Sequence, residues 1–88
     1  MHAVVVHATV NDPEGSEPVL REEVVPRFSE RPGFVAGYWT RKDNTGISMT
    51  VWESEGAANS ASEMIRPMRA PEGVKIDSVE VREVVASA

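Results

Sequence analysis

Two β-rich runs, from about Phe34 to Lys42 and from about Ile47 to Glu53, flank the turn-forming cluster Asp43-Asn44-Thr45-Gly46, which predicts a hairpin. Side chains along a strand alternate between its two faces. One face of this hairpin receives Phe34, Ala36, Tyr38, Ile47, Met49 and Val51; the other receives Val35, Trp39, Arg41, Ser48, Thr50 and Trp52. Both faces therefore carry large apolar side chains, whereas an antiparallel sheet with one wet side reads polar on that side. Leaving such side chains in water costs roughly 1.5–3 kcal/mol apiece relative to burial. Any fold for this chain has to shelter both sides of one sheet.

The remaining segments supply the other elements. His2–Val10 is dense in β-branched residues and free of Gly and Pro, which predicts a strand ended by Asn11-Asp12-Pro13. A helix is expected to begin near Ser16, an N-cap residue, with Val19, Leu20, Val24, Val25 and Phe28 on one stripe. Pro26 falls inside that helix and predicts a kink rather than an end, because it removes a backbone donor and crowds the preceding turn. Arg31-Pro32-Gly33 closes the helix.

Ser54 is placed to cap a second helix from Glu55 to about Arg69, with Arg66 and Arg69 at its negative end. Its apolar stripe is Ala57, Ala58, Ala61, Met64, Ile65 and Met68. Pro71-Glu72-Gly73 breaks the chain before a last strand from Val74 towards Val85. The 88 residues make one domain, residues 1–88, of element order βαββαβ. The fold class is α+β, with a four-stranded antiparallel sheet and two helices on one face.

Helices on one face leave the other open, and the expected remedy is a homodimer through that sheet face and the C-terminal strand. In the last strand Val74 and Ile76 share one parity, while Val79, Val81 and Val85 have the other. A β-bulge around Asp77-Ser78 is expected to switch its buried side, from its own sheet to a neighbouring copy. The alternatives are a monomer shielded by twist and long side chains, and a strand that twists at an edge.

Composition narrows the function classes. Nine Lys and Arg against 14 Asp and Glu give a net charge of −5, and the pI is near 4.9. That balance argues against a nucleic-acid partner, which needs a basic face, and against an anionic membrane surface. The absence of cysteine excludes disulfides, thiolate metal sites and a Cys nucleophile. No apolar run approaches the ~20 residues of a membrane span, and Met1 opens onto a strand-like run without a signal-peptide pattern, so the expected location is the cytoplasm.

The segment Pro32-Gly33-Phe34-Val35-Ala36-Gly37-Tyr38-Trp39, with Val51-Trp52-Glu53-Ser54-Glu55 after the hairpin, resembles the antibiotic-biosynthesis-monooxygenase-type family; Glu22-Glu23-Val24-Val25-Pro26-Arg27 is similar to small actinobacterial members. The resemblance spans nearly the whole chain in element order, on short motifs. It implies a ferredoxin-like protomer, a dimeric α+β barrel with helices outside, and a ligand cavity between each sheet and its own helices. Some members oxidise reactive aromatic polyketides with molecular oxygen and no metal or flavin. Trp52 stands where the family's strand-end tryptophan lies, and Ser48 stands where antibiotic-tailoring members carry an asparagine. Haem-degrading members need a histidine on the second helix; Ser62 lies near that place here, which argues against haem.

Candidate chemistry is sparse. His7 is the candidate general base, since an imidazole exchanges a proton near neutral pH; alternatively it is a strand histidine at a dimer interface or rim. Trp52 and Trp39 can form a flat wall for an aromatic ligand or simply pack in the core or an interface, and for Trp39 packing is expected. Ala58 and Ala61 either leave room for that pocket beneath the second helix or let helix and sheet approach closely. Arg41, Ser48 and Thr50 are candidate contacts to an anionic or phenolic oxygen. No metal-ligand spacing, phosphate loop or serine elbow is present, so no cofactor is expected. The expected function is cofactor-independent oxidation of a small aromatic or quinol-type metabolite; the alternative is a non-enzymatic ligand-binding or structural dimer.

Overall fold

The protein is seen in a computed structural model that describes residues 1–65 and 73–88. Four strands, β1 (His2–Val10), β2 (Phe34–Lys42), β3 (Thr45–Trp52) and β4 (Val74–Glu83), form one sheet in the order β2-β3-β1-β4, every neighbouring pair antiparallel. β1 and β2 are joined by α1 (Pro13–Val19), a π turn over Leu20–Val24 and α2 (Val25–Ser29), while α3 (Glu55–Ile65) follows β3. This is the ferredoxin-like βαββαβ arrangement, α+β in class. The expected extension of the second helix through Arg66, Met68 and Arg69, and the break at Pro71-Glu72, lie outside the described residues.

Local chemistry accounts for each boundary. α1 begins at Pro13, three residues before the expected Ser16, because the Asp12 side chain accepts the Gly15 N–H at 3.2 Å and proline at the first helical position needs no donor. Ser16 instead lies within α1 and is buried. Pro26 has no N–H to offer the Glu22 carbonyl, and the chain widens just ahead of it. The Val25 N–H reaches back five residues to the Leu20 carbonyl, so α1, the π turn and α2 run on as one arm. Ser54 caps α3 as expected, its Oγ accepting the Ala57 N–H at 3.1 Å. The hairpin turns at Asp43-Asn44, with Asp43 in the left-handed region at φ 53°, and Thr45 and Gly46 already belong to β3.

Two bulges set which side chains share a face. Pairing passes from Phe34↔Trp52 to Ala36↔Val51, so Val35 is the extra residue. Phe34 thereby joins Trp39, Arg41, Ser48, Thr50 and Trp52, rather than Tyr38 as alternation alone predicts, and its ring meets Trp52 edge-on at 5.4 Å and 81°. In β4 the register jumps between His7↔Ser78 and Ala8↔Ile76, leaving Asp77 as the extra residue near the expected place. Its effect is the reverse of the expected switch. Ile76, Val79 and Val81 all pack against the same core, because the bulge absorbs the parity change in the sequence. β4 therefore keeps one buried side throughout.

The core lies between this face and the helices: Val4, Val6 and Trp52 of the sheet meet Phe28 of α2 and Ala58, Ala61 and Ile65 of α3. The opposite face carries Ala36, Tyr38, Ile47, Met49 and Val51, together with Val5, His7 and Thr9 of β1. Tyr38 is 63% exposed, and Ile47 and Met49 are each 43% exposed. No helix among the described residues is long and apolar enough to cross a membrane.

Candidate functional site

A cavity of about 530 Å³ lies between the helical arm and the sheet, within the range of small-molecule sites. Its floor is thin where the arm crosses it: β1 contributes Ala8, and β3 contributes Gly46 and Ser48. Leu20 of the π turn, Val24 and Phe28 form the roof, and Ile65, Val74 and Ile76 line the side nearer α3 and β4. A side chain at Gly46 would stand 3.3 Å from Val10 Cγ2, so even a methyl crowds the floor there.

Trp39 is the aromatic wall. Its indole lies across Gly37, where a Cβ would come within 2.8 Å of Cη2 and Cζ3, and it tilts against Phe28 with centroids 6.3 Å apart at 46°. Gly37 is the residue that gives the ring this place on the strand. On β3 the hydroxyl-bearing Ser48 and Thr50 line the cavity, and buried Ser16 lines it from α1. Thr50 Oγ1 accepts the Trp52 Nε1–H at 2.9 Å, which leaves its own O–H to donate elsewhere.

The charged lining residues among those described are Glu17, Arg21 and Arg41, all partly exposed, so they mark the solvent edge. Arg41 Nε donates to Glu17 Oε1 at 2.9 Å and Nη1 to the Asp43 carbonyl at 2.9 Å; Arg21 Nη2 stands 3.7 Å from Glu17 Oε2. The Glu17–Arg41 pair thus ties α1 to the end of β2 across the mouth.

Of the residues expected to form a pocket, Arg41, Ser48 and Thr50 come together here. Trp52, Ala58 and Ala61 do not line the cavity; all three are 0% exposed and packed together in the core. The alanines let α3 settle close against the sheet, the close-packing alternative, so the space beside Trp52 is filled with side chains. His7 is half-buried on the opposite face, between Ile47 of β3 and Ser78 of β4, and the sheet separates it from the cavity. The described lining holds no imidazole, and Glu17 is its one carboxylate. No group of three or more His, Asp or Glu side chains among the described residues is placed to hold a metal.

Sequence reasoning assigned Trp39 to packing rather than to the wall, missed Glu17 as a lining residue and looked for the pocket beneath the second helix. The usable signals were Ala8, Gly46 and Ser48 on one face, beneath an arm held off regular helical geometry ahead of Pro26. Compared with protein-family models, curated proteins and solved structures, the chain matches none.

Proposed function

We propose that this protein binds a small, flat, largely apolar molecule that carries an oxygen at one end. The cavity beneath the arm carries this reading: Trp39 and the roof offer apolar contact, while Ser48, Thr50 and Arg41 supply donors that fix an orientation. The test is titration with naphthol, followed by tryptophan fluorescence. Trp39 lines the cavity and Trp52 does not, so saturable quenching is expected in the wild type and in Trp52→Phe, and its loss in Trp39→Phe. Ala8→Phe, which fills the floor, is expected to abolish binding. Quenching that survives both Trp39→Phe and Ala8→Phe would place the ligand elsewhere.

A second reading is oxygenation without a cofactor, as the resemblance to the antibiotic-biosynthesis-monooxygenase-type family implies. Thr50 favours it by joining Trp52, at the family's strand-end position, to the cavity. An anthrone-type methylene would consume one O₂ and yield the quinone carbonyl and water. With His7 on the far face, proton removal falls to Glu17 or to the substrate's own acidity. Oxygen uptake with an anthrone, lost on Ala8→Phe, is the measurement; binding without uptake leaves a ligand carrier.

We further propose that a second copy of the chain covers the open sheet face. The support is the apolar character of Tyr38, Ile47 and Met49 on a face that carries no helix among the described residues.

A further inference from the structure

We propose that the cavity selects an anionic ligand, a carboxylate or ionised phenol, and that Glu17 is the built-in competitor such a ligand displaces from Arg41. This rests on the binding reading above and names the ligand class for the same cavity. The chain itself displays a matching contact, a carboxylate oxygen held 2.9 Å from Arg41 Nε at the mouth. The bonds of Arg41 to Glu17 and to the Asp43 carbonyl engage two of the five N–H donors of a guanidinium, whose fork suits a carboxylate bound through both oxygens.

Charge count points the same way. Two guanidiniums, Arg21 and Arg41, face one carboxylate, Glu17, among the described lining residues, so the mouth carries surplus positive charge on a chain whose net charge is −5. A cavity meant for a neutral hydrocarbon has no use for that surplus. The Glu17–Arg41 pair is also easily opened, because its side chains are 42% and 40% exposed and an exposed ion pair is weak. An entering anion replaces the single bond that Glu17 makes to Arg41 Nε with two, through both its oxygens, and so adds one charge-assisted contact while burying its apolar body beneath Leu20 and Phe28. A neutral ligand gains the burial and neutral hydrogen bonds alone.

The experiment is calorimetric titration with naphthoate and with naphthamide, which share a ring system and differ in charge. In the wild type naphthoate is expected to bind about tenfold more tightly, as one added charge-assisted contact implies. Arg41→Gln should remove that preference, weakening naphthoate about tenfold more than naphthamide, whose neutral oxygen loses only an ordinary hydrogen bond. Glu17→Gln should tighten naphthoate several-fold and leave naphthamide unchanged. Arg21→Gln, at a side chain 71% exposed and so harmless to folding, should weaken naphthoate alone and stands in if Arg41→Gln misfolds. Equal affinities in the wild type, or a preference that survives both arginine variants, overturns this inference while naphthamide binding keeps the cavity reading intact. Failure of both compounds to bind removes the cavity reading, and the selectivity with it.

Discussion

Thr50 is a residue with two duties. Its oxygen accepts the indole N–H of Trp52 at 2.9 Å, and both side chains are buried, at 4% and 0% exposure. With the bond absent, no water reaches that N–H, so Thr50→Val, which keeps the shape and loses the acceptor, is expected to cost about 1–3 kcal/mol. Thr50→Ser keeps the oxygen and loses one methyl, and is expected to cost about 0.8 kcal/mol. Urea denaturation should rank wild type above Ser and Ser above Val; a Val variant as stable as the Ser variant would mean that the hydroxyl adds nothing to the packing. Trp39 depends on a neighbour in another way, since its ring occupies the space that a side chain at Gly37 would fill. Trp52 is held by a hydrogen bond and Trp39 by a vacancy, which is why the first is core and the second can face a ligand.

Among the elements, β4 shows a sequence irregularity turned into a structural regularity. Asp77 is the extra residue that keeps Ile76 in phase with Val79 and Val81 on the core face. Deleting Asp77 forces one set of valine and isoleucine side chains to the open face. Exposing two such side chains costs roughly 3–6 kcal/mol, a large share of what a domain this small has. Asp77→Ala keeps the bulge and loses only the hydrogen bond from Thr9 Oγ1, 2.8 Å long and exposed, so it should cost about 0.5–1.5 kcal/mol. Thermal denaturation followed by circular dichroism separates the two; equal losses would show that the aspartate matters and the register does not. Much of this architecture was legible because its causes are local: the hairpin in Asp43-Asn44, the cap in Ser54, the helical arm that Pro26 does not end. The bulge at Val35 left no such mark, and Phe34 changed faces with it. The cavity was not legible because small side chains have two outcomes. Ala58 and Ala61 let α3 close on the sheet, whereas Ala8 and Gly46 lie under an arm whose π turn does not follow them down. Which outcome a helix takes depends on how it is carried over the sheet, a property of neighbouring elements rather than of the alanines.

For the molecule as a whole, the unresolved tension is a sheet with helices on one side and apolar side chains on both. Strands of eight to ten residues, at ~3.3 Å per residue, and four strands at ~4.8 Å spacing give a face of roughly 570 Å² in projection, the same order as the ~800 Å² each partner buries in a standard interface. A second copy turned about a two-fold axis presents the same apolar strip to itself, with Met49 on the inner strand β3, Tyr38 beside it on the β2 edge and the Arg82–Glu80 pair on the β4 edge. Sedimentation should therefore find a dimer at micromolar concentration. Tyr38→Glu with Met49→Glu brings four like charges onto that contact, and the double variant should sediment as a monomer. Because both side chains are solvent-exposed in the protomer, its fold should survive the change, read as retained circular dichroism. Ligand binding should survive as well, since the cavity opens on the opposite side of the sheet and its described lining includes neither residue. A wild-type chain that sediments as a monomer would refute the assembly outright. A double variant that stays dimeric would move the contact to the strand edges, where β4 and the exposed Val85 beyond it offer the next apolar surface.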